Sequence, residues 1–218
     1  MHLTLHTLHR EVREQMSCDC YREFTEIFSE MQRCTECFPN VSQVDKRTWL
    51  GHGNIEHPCD AEILFLGESP SPKRDFNETF GMRSKPAFNA FKNHLFYLIG
   101  EKPWWAMNIN NCNVPALGLT ANRTVCRFFW KWLTTLARCG KLKYIVTFGR
   151  FAAEAVLGKD VPLNGRPHRL IVLYPARVTV FPVRHPMYWV RRGDPAGPIL
   201  DAERVAKFFT ESLLRWIG

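Results

Sequence analysis

Four short apolar runs, separated by segments of helical periodicity, constrain this chain more than any other feature. They cover 62–66 (stopped by Gly67), 104–109, 144–148 (ahead of Gly149-Arg150) and 178–181. Runs apolar at consecutive positions belong to strands buried on both faces, unlike the alternation of a half-solvated strand. Between them Phe88, Phe91, Leu95, Leu98 and Ile99 recur at helical spacing after Pro86, and Gly100 closes the segment. Val125, Phe129, Trp132, Leu133 and Leu136 mark another helix, 151–157 a third ended by Gly158, and 200–217 a closing one. At the start, Leu5, Leu8, Val12, Met16, Phe24, Ile27, Phe28 and Met31 form an amphipathic stripe. Segment 170–174 is a candidate edge strand, and 38–58 reads as loop. Strand–helix alternation predicts an α/β fold: a three-layer α/β/α sandwich around a central four-stranded parallel sheet. An N-terminal helical extension over 1–33 is expected to pack on a domain over 34–218.

In such sheets ligands bind beyond the carboxyl ends of the strands. Gly67-Glu68-Ser69-Pro70, Asn108, Gly149-Arg150 and Arg184-His185-Pro186 fall there, bringing a carboxylate, an amide and an imidazole to one edge. Taken singly, each of these residues caps a helix or turn as readily as it does chemistry. Lys and Arg outnumber Asp and Glu by 29 to 21, a net charge of +8, which suits a polyanionic partner without requiring one. No apolar run reaches the roughly 20 residues needed to span a bilayer, and residues 1–10 lack the apolar core of a secretion signal. A cytoplasmic, monomeric protein without membrane contact is expected. Its eight cysteines then read as metal ligands or buried side chains rather than a disulfide framework.

Several motifs occur in a specific order. Residues 61–70 are a strand followed by Gly67-Glu68-Ser69-Pro70, and Phe80-Gly81 comes next. Asn108-Ile109-Asn110-Asn111-Cys112 and Asn122-Arg123 follow the second strand. The stretch 144–158, then Asn164-Gly165-Arg166-Pro167-His168, then Val183-Arg184-His185-Pro186-Met187-Tyr188 complete the series. In this order they resemble the uracil-DNA glycosylase superfamily, most closely its thermophile-type (family four) iron–sulfur members, over about 34–192. The resemblance implies a DNA-repair enzyme that flips a deaminated base, such as uracil, out of the stack and hydrolyses its N-glycosidic bond. By the same resemblance Cys34, Cys37, Cys112 and Cys126 hold a [4Fe-4S] cluster, although four thiolates also hold zinc.

The roles carried over are specific. His185 and Glu68 are the catalytic candidates: His185 donates to the O2 of the leaving base, and Glu68 or a carbonyl beside it orients water. Ser69, Phe80 and Asn108 are the base-binding candidates, with Phe80 stacking and Asn108 reading O4 and N3–H. Lys73, Arg123, Arg184, Arg191 and Arg192 are candidates for phosphate contacts along DNA. The chain departs from the family at Ser71 and Pro72, where a glycine is usual, at Lys73 and Arg74, which replace acidic residues, and at Met187, where Ser is preferred. These departures keep a second reading in play, a DNA-binding or damage-sensing protein without turnover. Cys18, Cys20, Cys59 and Cys139 fall outside the expected ligand set, and burial is expected for Cys20.

Overall fold

A computed structural model describes residues 5–40, 47–48, 51–68, 85–114, 119–120, 125–158, 160–170 and 177–214. In chain order the elements are α1 (Leu5–Arg33), β1 (Arg47–Thr48), β2 (His52–Gly53), a 3-10 turn (Pro58–Asp60), β3 (Ile63–Gly67), α2 (Lys85–Ile99), β4 (Trp104–Asn108), β5 (Cys112–Val114), β6 (Leu119–Thr120), α3 (Phe129–Arg138), β7 (Tyr144–Phe148), α4 (Arg150–Leu157), β8 (His168–Leu170), β9 (Val178–Val183), α5 (Pro186–Arg192) and α6 (Gly197–Leu214).

The fold is α/β, but its main sheet is wider than the four parallel strands expected. β4, β3, β7 and β9 run parallel in that order. Antiparallel β2 then extends one edge and antiparallel β8 the other, giving, among the described residues, six strands in the order β2-β4-β3-β7-β9-β8. Strands two or three residues long carry no readable period, so these edges are settled by backbone proximity alone. Gly53 makes one of them possible: a Cβ there would stand 2.1 Å from the Trp104 carbonyl oxygen. A separate three-stranded sheet, β1-β5-β6, is antiparallel throughout.

Successive side chains of each central strand point to opposite faces, and both faces are covered. Leu64, Leu66, Trp105, Met107, Ile145 and Val180 join the core built with α1, α3 and α4. Ile63, Phe65, Ala106, Val146, Phe181 and Val183 join the one built with α2 and α6. Phe65 centres the second core, edge-on to Phe88 at 5.5 Å and Phe91 at 6.4 Å between ring centroids. This double burial is the reason the strands read as unbroken apolar runs.

α1 lays Cys20, Phe24, Ile27 and Met31 into the first core. Its polar side ties to α3: Lys131 pairs with Glu30 at 3.1 Å, Arg138 pairs with Glu23, and the Thr135 hydroxyl donates to Glu23. α3 starts at Phe129, later than the apolar spacing suggested. Val125 lies outside the helix and is 41% exposed, because the turn 127–128 redirects the chain and turns Cys126 inward. Among the described residues no helix is long and apolar enough to cross a membrane.

Candidate functional site

The carboxyl ends of β3, β4, β7 and β9 form one edge. Gly67 pairs with Asn108 across β3 and β4, and Phe148 pairs with Val183 across β7 and β9. Glu68, Asn108, Gly149, Arg184 and His185 therefore lie at or just beyond adjacent strand ends. Ser69, Phe80, Lys73 and Arg123 lie outside the described residues, as do Ser71, Pro72 and Arg74.

The Asn108 side chain is fully buried, and among the described residues neither its Oδ1 nor its Nδ2 has a hydrogen-bond partner. Buried amides almost always find partners, and leaving such a group unpaired costs about 1–3 kcal/mol. The chain after it forms a tight asparagine turn. The Asn108 N–H donates to Asn111 Oδ1 at 3.2 Å, and the Cys112 N–H donates to Asn110 Oδ1 at 2.9 Å. The backbone of this turn is pinned to β3, with Ile109 N–H on the Gly67 carbonyl and Asn110 N–H on the Glu68 carbonyl. The Glu68 carbonyl is thereby engaged by the turn, and the Glu68 side chain is half-buried.

His185 is the N-cap of α5, and its Nδ1 accepts from the Met187 N–H at 3.1 Å. A neutral imidazole that accepts at Nδ1 carries its proton at Nε2. Burial, helped by the Arg191 guanidinium, lowers its pKa to about 4, so the ring is neutral at pH 7. His185 is thus a neutral donor whose tautomer is set by the helix it caps. Gly149 presses against it: at φ +92° a Cβ would stand 3.2 Å from His185 Cβ. Only glycine allows both that conformation and that closeness.

The basic candidates divide. Arg184 pairs with the buried Asp201 at 3.4 Å and stacks over Trp189 at 5.1 Å, so part of its charge is spent inside the fold. Burial raises the Asp201 pKa, whereas the Trp189 N–H and Arg184 and Arg204 oppose that rise. Arg191 and Arg192 are exposed in the last turn of α5. Arg192 lies over the half-exposed Tyr188 ring at 5.2 Å and donates to its hydroxyl. Beside them a cavity of about 400 Å³ is lined by Arg150, Asp160, Asn164 and Arg184 among others. It does not include Asn108. The sequence placed Arg150 at this edge and Tyr188 in the 183–188 motif but gave neither a role. The Pro186 signal for the start of α5 would have drawn attention to Tyr188, whereas Arg150 gives no sign of its neighbours.

Cys34, Cys37, Cys112 and Cys126 line a second cavity, of about 80 Å³, together with Met31, Val125, Arg127 and Phe128. The four thiols come from the end of α1, the turn after it, β5 and the turn before α3. Asn110 connects this cavity to the turn that follows Asn108: its Nδ2 approaches Cys37 Sγ at 3.6 Å while its Oδ1 holds the Cys112 backbone. Burial pushes the Cys126 thiol up to about 11; a Phe128 backbone hydrogen bond opposes the rise, and the nearby Cys37, Cys34 and Glu36 add to it. Among the described residues no set of three or more His, Cys, Asp and Glu is gathered to hold a metal ion. That finding and the shared cavity are compatible for a cubane, in which each thiolate binds a different iron and the sulfurs need not converge on one point. The donor chemistry, four thiols on one enclosed wall, fits such a group.

No protein-family model matches this chain, and no curated protein matches it.

Proposed function

We propose that this protein is a DNA glycosylase of the uracil-DNA glycosylase superfamily, built as an α/β/α sandwich, which flips uracil or a related deaminated base from DNA and hydrolyses its N-glycosidic bond. The observation that carries the reading is Asn108: a fully buried amide with both polar atoms unpartnered among the described residues, at a strand end where α/β folds bind ligands. Uracil supplies what it lacks, an acceptor at O4 for the amide NH2 and a donor at N3 for the carbonyl.

The reaction asks little more of the neighbours. As the bond from base nitrogen to sugar C1′ breaks, its electron pair stays on the base and negative charge gathers at O2. The His185 Nε2–H donates to that oxygen, and being neutral it needs no proton transfer to do so. Water adds at C1′, oriented by the Glu68 carboxylate, which also favours the cationic sugar; its proton passes to solvent and the departing base anion takes one back, leaving a C1′ hydroxyl and the free base. Arg191 and Arg192 supply phosphate contacts on the same side, with Arg184 contributing what charge Asp201 leaves. A [4Fe-4S] cluster on Cys34, Cys37, Cys112 and Cys126 would cross-link the segments that carry them, a structural contribution; no electron enters or leaves the hydrolysis. Asn110 would then position the Asn108 turn against it.

The test is single-turnover release of free base from matched uracil- and cytosine-containing single strands. Cytosine reverses the hydrogen-bonding pair of uracil, so wild type is expected to release uracil alone. Asn108→Asp, which accepts from the cytosine amino group, is expected to lose most uracil release and gain weak cytosine release. Binding of DNA without any base release would leave the damage-sensing reading in its place. Full uracil release by Asn108→Asp would remove Asn108 as the base reader.

A further inference from the structure

Arg184 stands at the end of β9 beside His185, yet its guanidinium is held on three sides. Its Cζ lies 5.4 Å from the centre of the Tyr188 ring and 5.1 Å from that of Trp189, and its Nη1 lies 3.4 Å from Asp201 Oδ1. Asp201, on α6, is 1% exposed and takes two further donors. Arg204 reaches the same oxygen at 3.1 Å, and the Trp189 indole N–H reaches the other at 3.0 Å.

The corner between α5 and α6 does not need Arg184 to hold it. Gly193 ends α5 at φ +62°, and Asp194 Oδ1 caps α6 by accepting from the Ala196 and Gly197 N–H groups at 3.0 Å each. The Trp189 ring lies so close to Gly197 that a Cβ there would stand 2.1 Å from it. Trp189 and Arg204 already partner Asp201 from the two helices, whereas Arg184 arrives from the strand end and brings a charge. Arg191 and Arg192, by contrast, are exposed and form no ion pair among the described residues. Two guanidiniums thus flank the Tyr188 ring, Arg184 and, at 5.2 Å, Arg192, and only Arg184 is paired with an acid. Drawing Arg184 outward would leave a buried carboxylate with one fewer counter-charge, which is costly. A guanidinium neutralised in this way also releases few counterions from a nucleic acid.

We propose that Asp201 is a positioning residue that limits the grip on DNA: its buried carboxylate holds Arg184 in the α5–α6 corner and withholds it from a full phosphate contact. Removing the carboxylate's charge frees Arg184 to become such a contact. This rests on the DNA-binding part of the reading above and not on base release.

The experiment measures affinity of the full chain for a single-stranded oligonucleotide over a range of salt, and base release from a uracil-containing copy. Arg184→Ala should change the slope of log affinity against log salt by less than about half, whereas Arg192→Ala lowers it by about one. Asp201→Asn, which keeps an acceptor for Trp189, should steepen the slope by about one, so that affinity falls about three- to fourfold more between about 50 and 200 mM salt. Adding Arg184→Ala to Asp201→Asn should restore the wild-type slope. Glu203→Gln removes an exposed charge from the same helix and should shift the slope by less than about half, which separates the effect from net charge. Arg184→Ala lowering the wild-type slope by about one overturns the proposal, whether or not Asp201→Asn folds. So does a folded Asp201→Asn with an unchanged slope, or a steeper slope that persists without Arg184. A wild type that does not bind DNA overturns this proposal and the DNA reading together. The expected slopes without base release retire the enzyme reading and leave the role of Asp201 standing.

Discussion

Replacing Asn108 by Leu should make the folded protein more stable while removing its proposed activity. The substitution nearly conserves volume and deletes two buried polar atoms that have no partners among the described residues. At about 1–3 kcal/mol for each unmade hydrogen-bonding group, the two atoms set an upper bound of roughly 2–6 kcal/mol. Water reaching the amide would satisfy part of this, so the expected gain is about 1–2 kcal/mol. The backbone hydrogen bond from Asn108 N–H to Asn111 Oδ1 does not involve the deleted atoms, and the pairing with Gly67 is unaffected. The same two groups, lost from a complex with uracil, leave O4 and N3–H unpaired. Their loss should slow single-turnover excision roughly 30-fold to 10⁴-fold, at about 1.4 kcal/mol per factor of ten. Urea unfolding of wild type and Asn108→Leu, with unchanged m, reads the first effect; base release from a uracil oligonucleotide reads the second. A variant destabilised by more than about 1 kcal/mol would mean the amide is satisfied in the folded protein. A more stable variant with unchanged excision would mean the base is read elsewhere. Either result refutes the reasoning.

Other predictions bear on separate parts of the site. His185→Asn keeps an N-cap acceptor but loses the Nε2–H, and single-turnover excision should fall by about 100-fold. Because folding lowers the His185 pKa to about 4 from an ordinary 6.5, the unfolded chain binds the extra proton first. Its contribution to stability is therefore intact above about 6.5 and lost as pH falls toward 4; His185→Asn should flatten the unfolding midpoint over that window. Gly149→Ala, which places a methyl group 3.2 Å from His185 Cβ at φ +92°, should cost about 1–3 kcal/mol in urea unfolding and slow excision with it. Purified without oxygen, the protein should carry about four irons per chain, measured by iron and sulfide analysis. Ser at Cys34, Cys37, Cys112 or Cys126 should bleach it, and Ser at Cys139 should not. Arg192→Ala should reduce the slope of log affinity for DNA against log salt by about one, and an unchanged slope would remove Arg192 from the phosphate face.

Much of the architecture was legible because double burial leaves a plain trace. The runs at 62–66, 104–109, 144–148 and 178–181 each fall on a central strand, and Phe24, Ile27 and Met31 on α1, Phe88, Phe91 and Leu95 on α2, and Trp132, Leu133 and Leu136 on α3 are buried as their spacing suggested, whereas Leu98 is exposed. The edges of the sheet were not legible. β2 and β8 are two and three residues long, and what places them is the carbonyl row of β4 and β9. The start of α3 was misjudged at Val125, since an apolar residue that lines a cavity and one that faces a core look alike in a periodicity count.

The sequence by itself determined the α/β class and the set of polar residues that follow each strand, because strand burial and strand-end loops are local properties of composition and order. It also supplied the motifs, and those assign roles only by resemblance. Which groups face one another was decided by tertiary structure alone. The orphaned amide of Asn108, the His185 tautomer held by the Met187 N–H, the Asn110 bridge to Cys37 and the partial neutralisation of Arg184 by Asp201 all depend on distances across the fold. Cys20, Cys59 and Cys139 make the point most plainly: they lie far apart in the chain, have no common motif, and join one core only because α1, the 3-10 turn and α3 pack together.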